Sequence, residues 1–420
     1  MFGTLGNIFK RQRYYFEDDG NMVVDLDPRA AVESHNFEVM ARARENNQFP
    51  GEEMIVNMGP QHPSTHGVLR LELVLDGEIV KQVRPHIGYL HRNFEKHAEN
   101  VGWNEVIPYT DRLDYLAAMS MNHGYCMAAE KLMGIKELPR KVEYIRLICA
   151  EFMRIASHLM AIGTFGLDVG AITPFLWAFR DRERILDLFE WLSGARLLYN
   201  YIWIGGLSRD MPAGWLKKAQ EFLVEFEENM KEFNKLLSGN HIFLKRTADV
   251  GVLPPAVAIN CGATGPVLRG SGIKWDVRKD DPYCLYPEFE FDIPIGEGSF
   301  GPLGSVLDRY LVRIKEIGQS IRILKKALAE CPEKGDVKAA IPRRMKPPTG
   351  AECYHRSEAP RGEIGFYLRS NGSDIPDRVR CRSSCFVHVS LLDEISRGAM
   401  LADVVLIIGS IDIVLGEVDR

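Results

Sequence analysis

Apolar and polar residues alternate from Met54 to Val83, and the alternation breaks twice. Met54-Ile55-Val56 and Val68-Leu69-Arg70-Leu71-Glu72-Leu73-Val74-Leu75 flank the first break. Asp76-Gly77 is the second, followed by Ile79-Val80-Lys81-Gln82-Val83. A period of two predicts three strands, with Asp76-Gly77 as a tight hairpin turn. From about Asn93 to Leu237 the spacing changes to three and four, the helical period. Leu113, Leu116, Ala117, Met119 and Met121 open one helical run, and Tyr144 to Ile162 is another. Asp181-Arg182-Glu183-Arg184 opens a third helix, with Ile185, Leu188, Phe189 and Leu192 on its apolar side. The run from Met211-Pro212 to Leu237 predicts a long amphipathic helix that stops at Ser238-Gly239. Glu151, Arg154 and His158 share one helical face; such a stripe is usually solvated, but an internal ion pair or a partner contact has the same spacing.

Residues 250–305 are rich in Gly and Pro and lack a strong period. Neither Ala263-Thr264-Gly265-Pro266 nor Arg269-Gly270-Ser271-Gly272 follows a strand as a dinucleotide fingerprint must, so no nucleotide site is expected. Val306 to Ala329 is helical again, and Pro332 to Pro360 reads as a Pro- and Lys/Arg-rich connector. Ile364 to Arg369 and Arg378 to Cys381 flank Asn371-Gly372 as a hairpin, and the last segment alternates short helix and loop. The expected class is α+β: an N-terminal antiparallel β-sheet, a central long-helix bundle and a small C-terminal α/β part. The expected divisions are an arm over 1–50, a β-hairpin region over 51–92, a helical bundle over 93–330, and a connector with the C-terminal region over 331–420.

Composition narrows the function classes. A chain of 420 residues can bury a large core. Its net charge of -5 and the lack of a long basic run argue against a nucleic-acid partner. The N-terminus has no apolar signal core, since Lys10-Arg11-Gln12-Arg13 follows at once. No apolar run approaches the roughly 20 residues of a spanning helix; Leu401 to Gly416 comes nearest and carries Asp403 and Asp412. Membrane contact is therefore expected only through partners. The eight cysteines form no Cys-x-x-Cys pair, which argues against a zinc ribbon, a thioredoxin motif or an iron–sulfur cradle. Cys381 and Cys385 lie close together but have no second pair, and are read as incidental.

The first break in the β pattern carries the candidate chemistry. Met58-Gly59-Pro60-Gln61-His62-Pro63-Ser64-Thr65-His66-Gly67 is a stiff loop between two strands, and it offers two imidazoles, His62 and His66. This loop and the Val68-Leu69-Arg70-Leu71 after it resemble the quinone-site loop of the D chain of proton-pumping NADH:quinone oxidoreductase, respiratory complex I. The resemblance continues through Pro85-His86-Ile87-Gly88-Tyr89-Leu90-His91-Arg92 and Arg112-Leu113-Asp114-Tyr115. It extends through Asp168-Val169-Gly170-Ala171, Thr173-Pro174-Phe175, Phe179-Arg180-Asp181-Arg182-Glu183 and Gly416-Glu417-Val418-Asp419-Arg420. These motifs run in order from about residue 54 to the C-terminus.

The resemblance implies a quinone-binding subunit of the peripheral arm, active only in the assembled complex. Electrons would pass from NADH through FMN and iron–sulfur clusters in partner subunits to menaquinone or ubiquinone, coupled to proton translocation. The chain itself would bind no cofactor and no metal. Subunits B, C, I and H are the implied partners, and the cytoplasmic face of the bacterial inner membrane is the implied place. Carried over residue by residue, His66 and Tyr115 hold the quinone head group, Asp168 partners His66, and Arg92 faces the terminal cluster of the B chain. The chemistry suits those residue types. An imidazole can relay a proton near neutral pH, a phenol can donate a hydrogen bond to the second carbonyl, and a carboxylate behind the imidazole fixes its tautomer and raises its pKa. Without the resemblance, Tyr115 reads as a core residue, Asp168 as a helix stop, and Arg92 as half of a surface ion pair with Glu95.

Two departures sharpen the expectation. Many relatives carry a histidine after the Ser-Gly-Ala-Arg motif, thought to protonate when the cluster is reduced; here Leu198 stands there. A weaker pH dependence of the cluster potential follows, with a lower potential suited to menaquinone. The fold also resembles the nickel–iron hydrogenase large subunit, whose metal needs four thiolates in two Cys-x-x-Cys pairs. Leu90 to Glu95 and Asp412 to Val418, the matching stretches, contain no cysteine, which excludes that chemistry on ligand grounds. The alternative expectation is a structural or quinone-site subunit of a ferredoxin- or F420-linked membrane oxidoreductase.

Overall fold

A computed structural model describes residues 13–16, 22–25, 53–60, 65–342 and 344–420. The 1–50 arm thus lies almost wholly outside the described residues; only the short antiparallel pair β1 (Arg13–Phe16) and β2 (Met22–Asp25) represents it. His62 also lies outside them.

The alternating segment folds as predicted. β3 (Glu53–Met58), β4 (Arg70–Asp76) and β5 (Ile79–His86) form an antiparallel sheet with β4 in the centre. Leu71, Leu73 and Leu75 of β4 are fully buried, while Glu72 and Val74 between them are only partly buried. That is the period-two pattern of a sheet with one wet face. β3 is an edge strand and leaves Ile55 62% exposed.

Long helices make the core. These are α1 (Ala118–Met133), α2 (Arg140–Asp168), α3 (Ile172–Ser193), α4 (Trp215–Leu236) and α5 (Val306–Glu330). α2 is the axis: nearly every residue from Lys141 to Phe165 is buried, and α1, α3 and α5 all pack on it. The charged stripe Glu151, Arg154 and His158 is internal. Glu151 accepts from Tyr286 Oη at 2.6 Å, Ser320 Oγ at 2.6 Å and Arg278 Nη1 at 3.2 Å. His158 Nε2 lies 2.8 Å from Glu316 Oε2, and Arg269 bridges Glu316 and Glu358. Buried charges persist only when paired in this way.

Three boundaries differ from the sequence reading. α3 starts at Ile172, not at Asp181, because Pro174 falls in the first turn, where its missing N–H has no helical partner to lose. The Gly/Pro-rich stretch holds short helices at Pro255–Asn260, Gly265–Gly270 and Val277–Asp280. The connector ends before Pro360: Glu352–Ala359 is a strand, β6, paired with β7 (Gly362–Arg369), which pairs in turn with β8 (Arg378–Arg382). Its inward residues include Ser357 and Glu358, so a polar sequence hides a buried strand.

Beyond this sheet come α6 (Leu401–Ile411) and α7 (Leu415–Asp419), both largely buried. α6 packs against α2 and α5. The Asp419 carboxylate accepts from the amides of Gly88 at 2.8 Å and Leu90 at 2.7 Å, which ties α7 to the segment after β5. Among the described residues no helix is long and apolar enough to cross a membrane.

Candidate functional site

α2 ends at Asp168 because the next residues turn the chain. Gly170 adopts a φ of 89°, and Ala171 N bonds back to Gly166 O at 2.8 Å. The helix therefore presents Asp168 at its last position. Across from it stands His66, itself in the left-handed region at φ 52°, in a loop tightened by Thr65 Oγ1 donating to Gly67 O at 2.8 Å. His66 Nε2 lies 2.9 Å from Asp168 Oδ2, and both side chains are largely buried. Burial alone would lower the His66 pKa. The hydrogen bond and charge of Asp168 and the charge of Asp412 outweigh it, so the imidazole holds its proton more tightly than usual. A helix C-terminus is also the negative end of the helix dipole, where a cation is favoured.

Gly409 of α6 backs this pair. A Cβ there would stand 2.3 Å from Asp168 Oδ2 and 3.2 Å from His66 Nε2, so only glycine lets the helix approach. Gly67 seats on the Leu415 side chain from the other direction.

Tyr115 sits half-buried in the turn between Thr110 and α1. Burial raises its pKa, Arg361 and Arg92 oppose that, and Asp114 adds to it. The phenol therefore stays protonated at neutral pH. Among the described residues no hydrogen bond ties Tyr115 to His66. What relates them is a buried arginine. Arg361 Nη1 donates to Asp114 Oδ2 at 2.7 Å and to Ser157 Oγ at 3.0 Å; its Nη2 and Nε donate to Oδ1 and O of Asp412 at 3.2 and 2.9 Å. Asp114 is the neighbour of Tyr115, and Asp412 is a carboxylate that acts on His66. Burial raises Asp114 to about 6 even against Arg361. Sequence reading missed Arg361 and Asp412 as members of the site. The available signals were an arginine held between Pro360 and Gly362, and a carboxylate closing an apolar run.

Arg92 is exposed, with Nη2 donating to the Arg112 carbonyl. It forms no ion pair among the described residues, so the surface-pair reading with Glu95 is corrected: Glu95 pairs with Arg378 at 3.2 Å. Gly416 lets Arg92 and this turn pack together, since a Cβ would lie 2.6 Å from Leu113 O and 2.9 Å from Arg92 Nη2. Next to it is a crevice of about 370 Å³ lined by His91, Lys96, Arg378, Arg380 and Arg420 with Glu95 and Asp419. Leu198 takes a positive φ of 56° in its loop. Two residues on, the Asn200 amide donates to Asp111 Oδ2 at 2.9 Å, and burial pushes that carboxyl up to about 7.

Cys381 and Cys385 are buried free thiols. Cys385 Sγ donates to Glu417 Oε2 at 3.2 Å, and Glu417 Oε1 accepts from Ser383, Ser384 and the Cys385 amide. The segment that would carry hydrogenase thiolates carries instead a carboxylate that caps a helix. Among the described residues no three or more His, Cys, Asp or Glu side chains gather as a metal site.

A family model described as the 49 kDa subunit of respiratory-chain NADH dehydrogenase matches residues 168–420. The chain is also similar to the D subunits of several bacterial NADH-quinone oxidoreductases. That of Chlorobaculum tepidum is 54% identical over 372 residues, spanning 88% of this chain and 92% of that protein. That of Chlorobium luteolum is 54% identical, spanning 88% and 94%; that of Chlorobium phaeovibrioides is 52% identical, spanning 88% and 92%.

Proposed function

The chain belongs to the 49 kDa, or D, subunit family of NADH-quinone oxidoreductase, and from that premise we propose that His66 and Tyr115 hold opposite carbonyls of the quinone head group. The chain is a quinone-site subunit of complex I, part of an oxidoreductase whose complex also employs FMN and iron–sulfur clusters. In this reading the flavin and clusters belong to partner subunits. Subunits B, C, I and H surround the chain, and the assembly lies on the cytoplasmic face of the inner membrane.

The reaction adds two electrons and two protons to the quinone. The terminal cluster of the partner B subunit would supply the two electrons, one at a time. Protonated His66 donates to one carbonyl oxygen and the Tyr115 hydroxyl to the other, so the quinol leaves neutral. Asp168 then faces a neutral imidazole and draws in a replacement proton, and the Tyr115 phenolate takes its own back from water. Arg92, exposed and without a carboxylate partner among the described residues, faces the cluster, where a cation favours the reduced state. The observation that carries the reading is the 2.9 Å contact between His66 and Asp168, a proton-holding pair at the end of a buried helix.

The test is substitution in the assembled complex. His66→Ala and Tyr115→Phe should each lower quinone reduction by about 10²-fold, while electron flow from NADH to an artificial upstream acceptor stays normal. Full quinone reduction in both variants would leave the chain a scaffold only.

A further inference from the structure

We propose that a cleft beside α1 and β6 binds a small organic anion with an apolar body, a carboxylate of the short-chain fatty acid type, whose head accepts hydrogen bonds from His123 and His355. The cleft shares no residue with the His66–Tyr115 site, and the proposal does not depend on how that site works.

The cleft encloses about 410 Å³, and small-molecule sites measure roughly 300–1,000 Å³. His123, Met127 and Lys131 recur at four-residue spacing on α1, so all three line the cleft from one side of the helix. β6 adds His355, and the turn after the short helix Val277–Asp280 adds Tyr283. Both imidazoles stand edge-on to the Tyr283 ring, with 6.2 and 6.3 Å between centroids.

Three buried nitrogens of cleft residues lack a partner. His123 is 3% exposed, and its Nε2 has no hydrogen bond; Nε2 of His355 has none either. Arg146 is buried and commits its Nη atoms to Glu130 and to the carbonyls of Trp203 and Gly206, which leaves Nε unbonded. Buried polar atoms are normally bonded, so the cleft is short of an acceptor. Burial carries His355 down to about 4 and His123 well below its usual value, with the Arg146 charge adding to the effect on His123. Both rings are therefore neutral at neutral pH, and each offers one N–H.

Charge selects an anion. Glu130 is taken by Arg146, and Glu143 lies 3.7 Å from Arg140. Lys131 and Lys136 line the cleft, are exposed, and form no ion pair among the described residues. A metal ion would meet this positive charge, and among the described residues no three metal-binding side chains gather. Met127, Ile135 and Leu138 supply an apolar wall for a hydrocarbon body.

The experiment is equilibrium dialysis of the purified, assembled complex against radiolabelled hexanoate. The expected result is one saturable site per complex, with hexanol unable to compete. His123→Leu should weaken binding by at least about 10-fold, the loss that removing a hydrogen bond to a charged group brings. Lys131→Gln should weaken it less, and electron flow from NADH to an upstream acceptor should be normal in both. Ile135→Trp fills the cleft from a half-buried position and should abolish binding, so the proposal remains testable where His123→Leu fails to assemble. No saturable hexanoate binding to the wild type overturns the proposal, as it would if a partner subunit's side chain already filled the cleft. Hexanol competing as well as hexanoate, or wild-type binding in the assembled variants, overturns it too.

Discussion

His66 Nε2 and Asp168 Oδ2 meet at 2.9 Å although 102 positions separate them in sequence. The loop brings the imidazole, the end of α2 brings the carboxylate, and Gly409 permits the approach. Replacing Asp168 with Asn should lower the His66 pKa and move the alkaline limb of quinone reduction to lower pH, with a rate loss of about 10-fold at neutral pH. A pH series on membranes that carry the variant complex measures both.

The same pair has a stability signature. The folded His66 pKa is raised, so the bonded imidazolium stabilises the loop fully below the unfolded value of about 6.5. That contribution is lost as pH rises through the folded value. Hydrogen exchange of the Leu69 and Arg70 amides should therefore quicken above neutral pH in the wild type by more than base catalysis explains. His66→Ala should abolish the excess.

Gly409→Ala tests the packing directly. The added methyl would meet Asp168 Oδ2 at 2.3 Å, so one partner must move. The expected result is an assembled complex with quinone reduction reduced at least as far as in Asp168→Asn, and upstream electron flow intact.

Much of this was legible in the sequence, and the limits have physical causes. The β3–β5 sheet declares itself because one face is wet, so apolar and polar residues must alternate. Helix α2 declares itself by its period, but its charged stripe does not reveal which way it faces, since a buried ion pair and a solvated one have the same spacing. β6 was hidden because its buried residues include polar ones, Ser357 and Glu358, and the Glu358 carboxylate accepts from the buried Arg269. Arg361 was invisible for a related reason: its partners, Asp114 and Asp412, are close only once the chain has folded. Resemblance, not spacing, brought Tyr115 and Arg92 into the reading.

The buried stripe gives a prediction about integrity. Glu151 satisfies Tyr286, Ser320 and Arg278 at once, with no solvent exposure. Glu151→Ala leaves Arg154 without its ion-pair partner and Tyr286 and Ser320 without their acceptor, and should destabilise the fold by roughly 3–5 kcal/mol. The readout is thermal unfolding of the purified complex or loss of assembly, and Glu151→Gln should recover part of the difference.

Leu198→His restores a titratable group to a loop that lies beside the Asp111 carboxyl, itself pushed up to about 7. The substitution should steepen the pH dependence of the partner cluster's potential, measured by redox titration followed by electron paramagnetic resonance. A slope already at its full value in the wild type points instead to Asp111 as the group that takes up the proton.

Because Gly409 lies far downstream of His66, a ribosome makes the imidazole long before it makes the helix that backs it. A nascent or prematurely released chain can carry His66, Tyr115 and Asp168 yet leave them unsupported. An unfinished product therefore lacks the helix against which the His66–Asp168 pair rests.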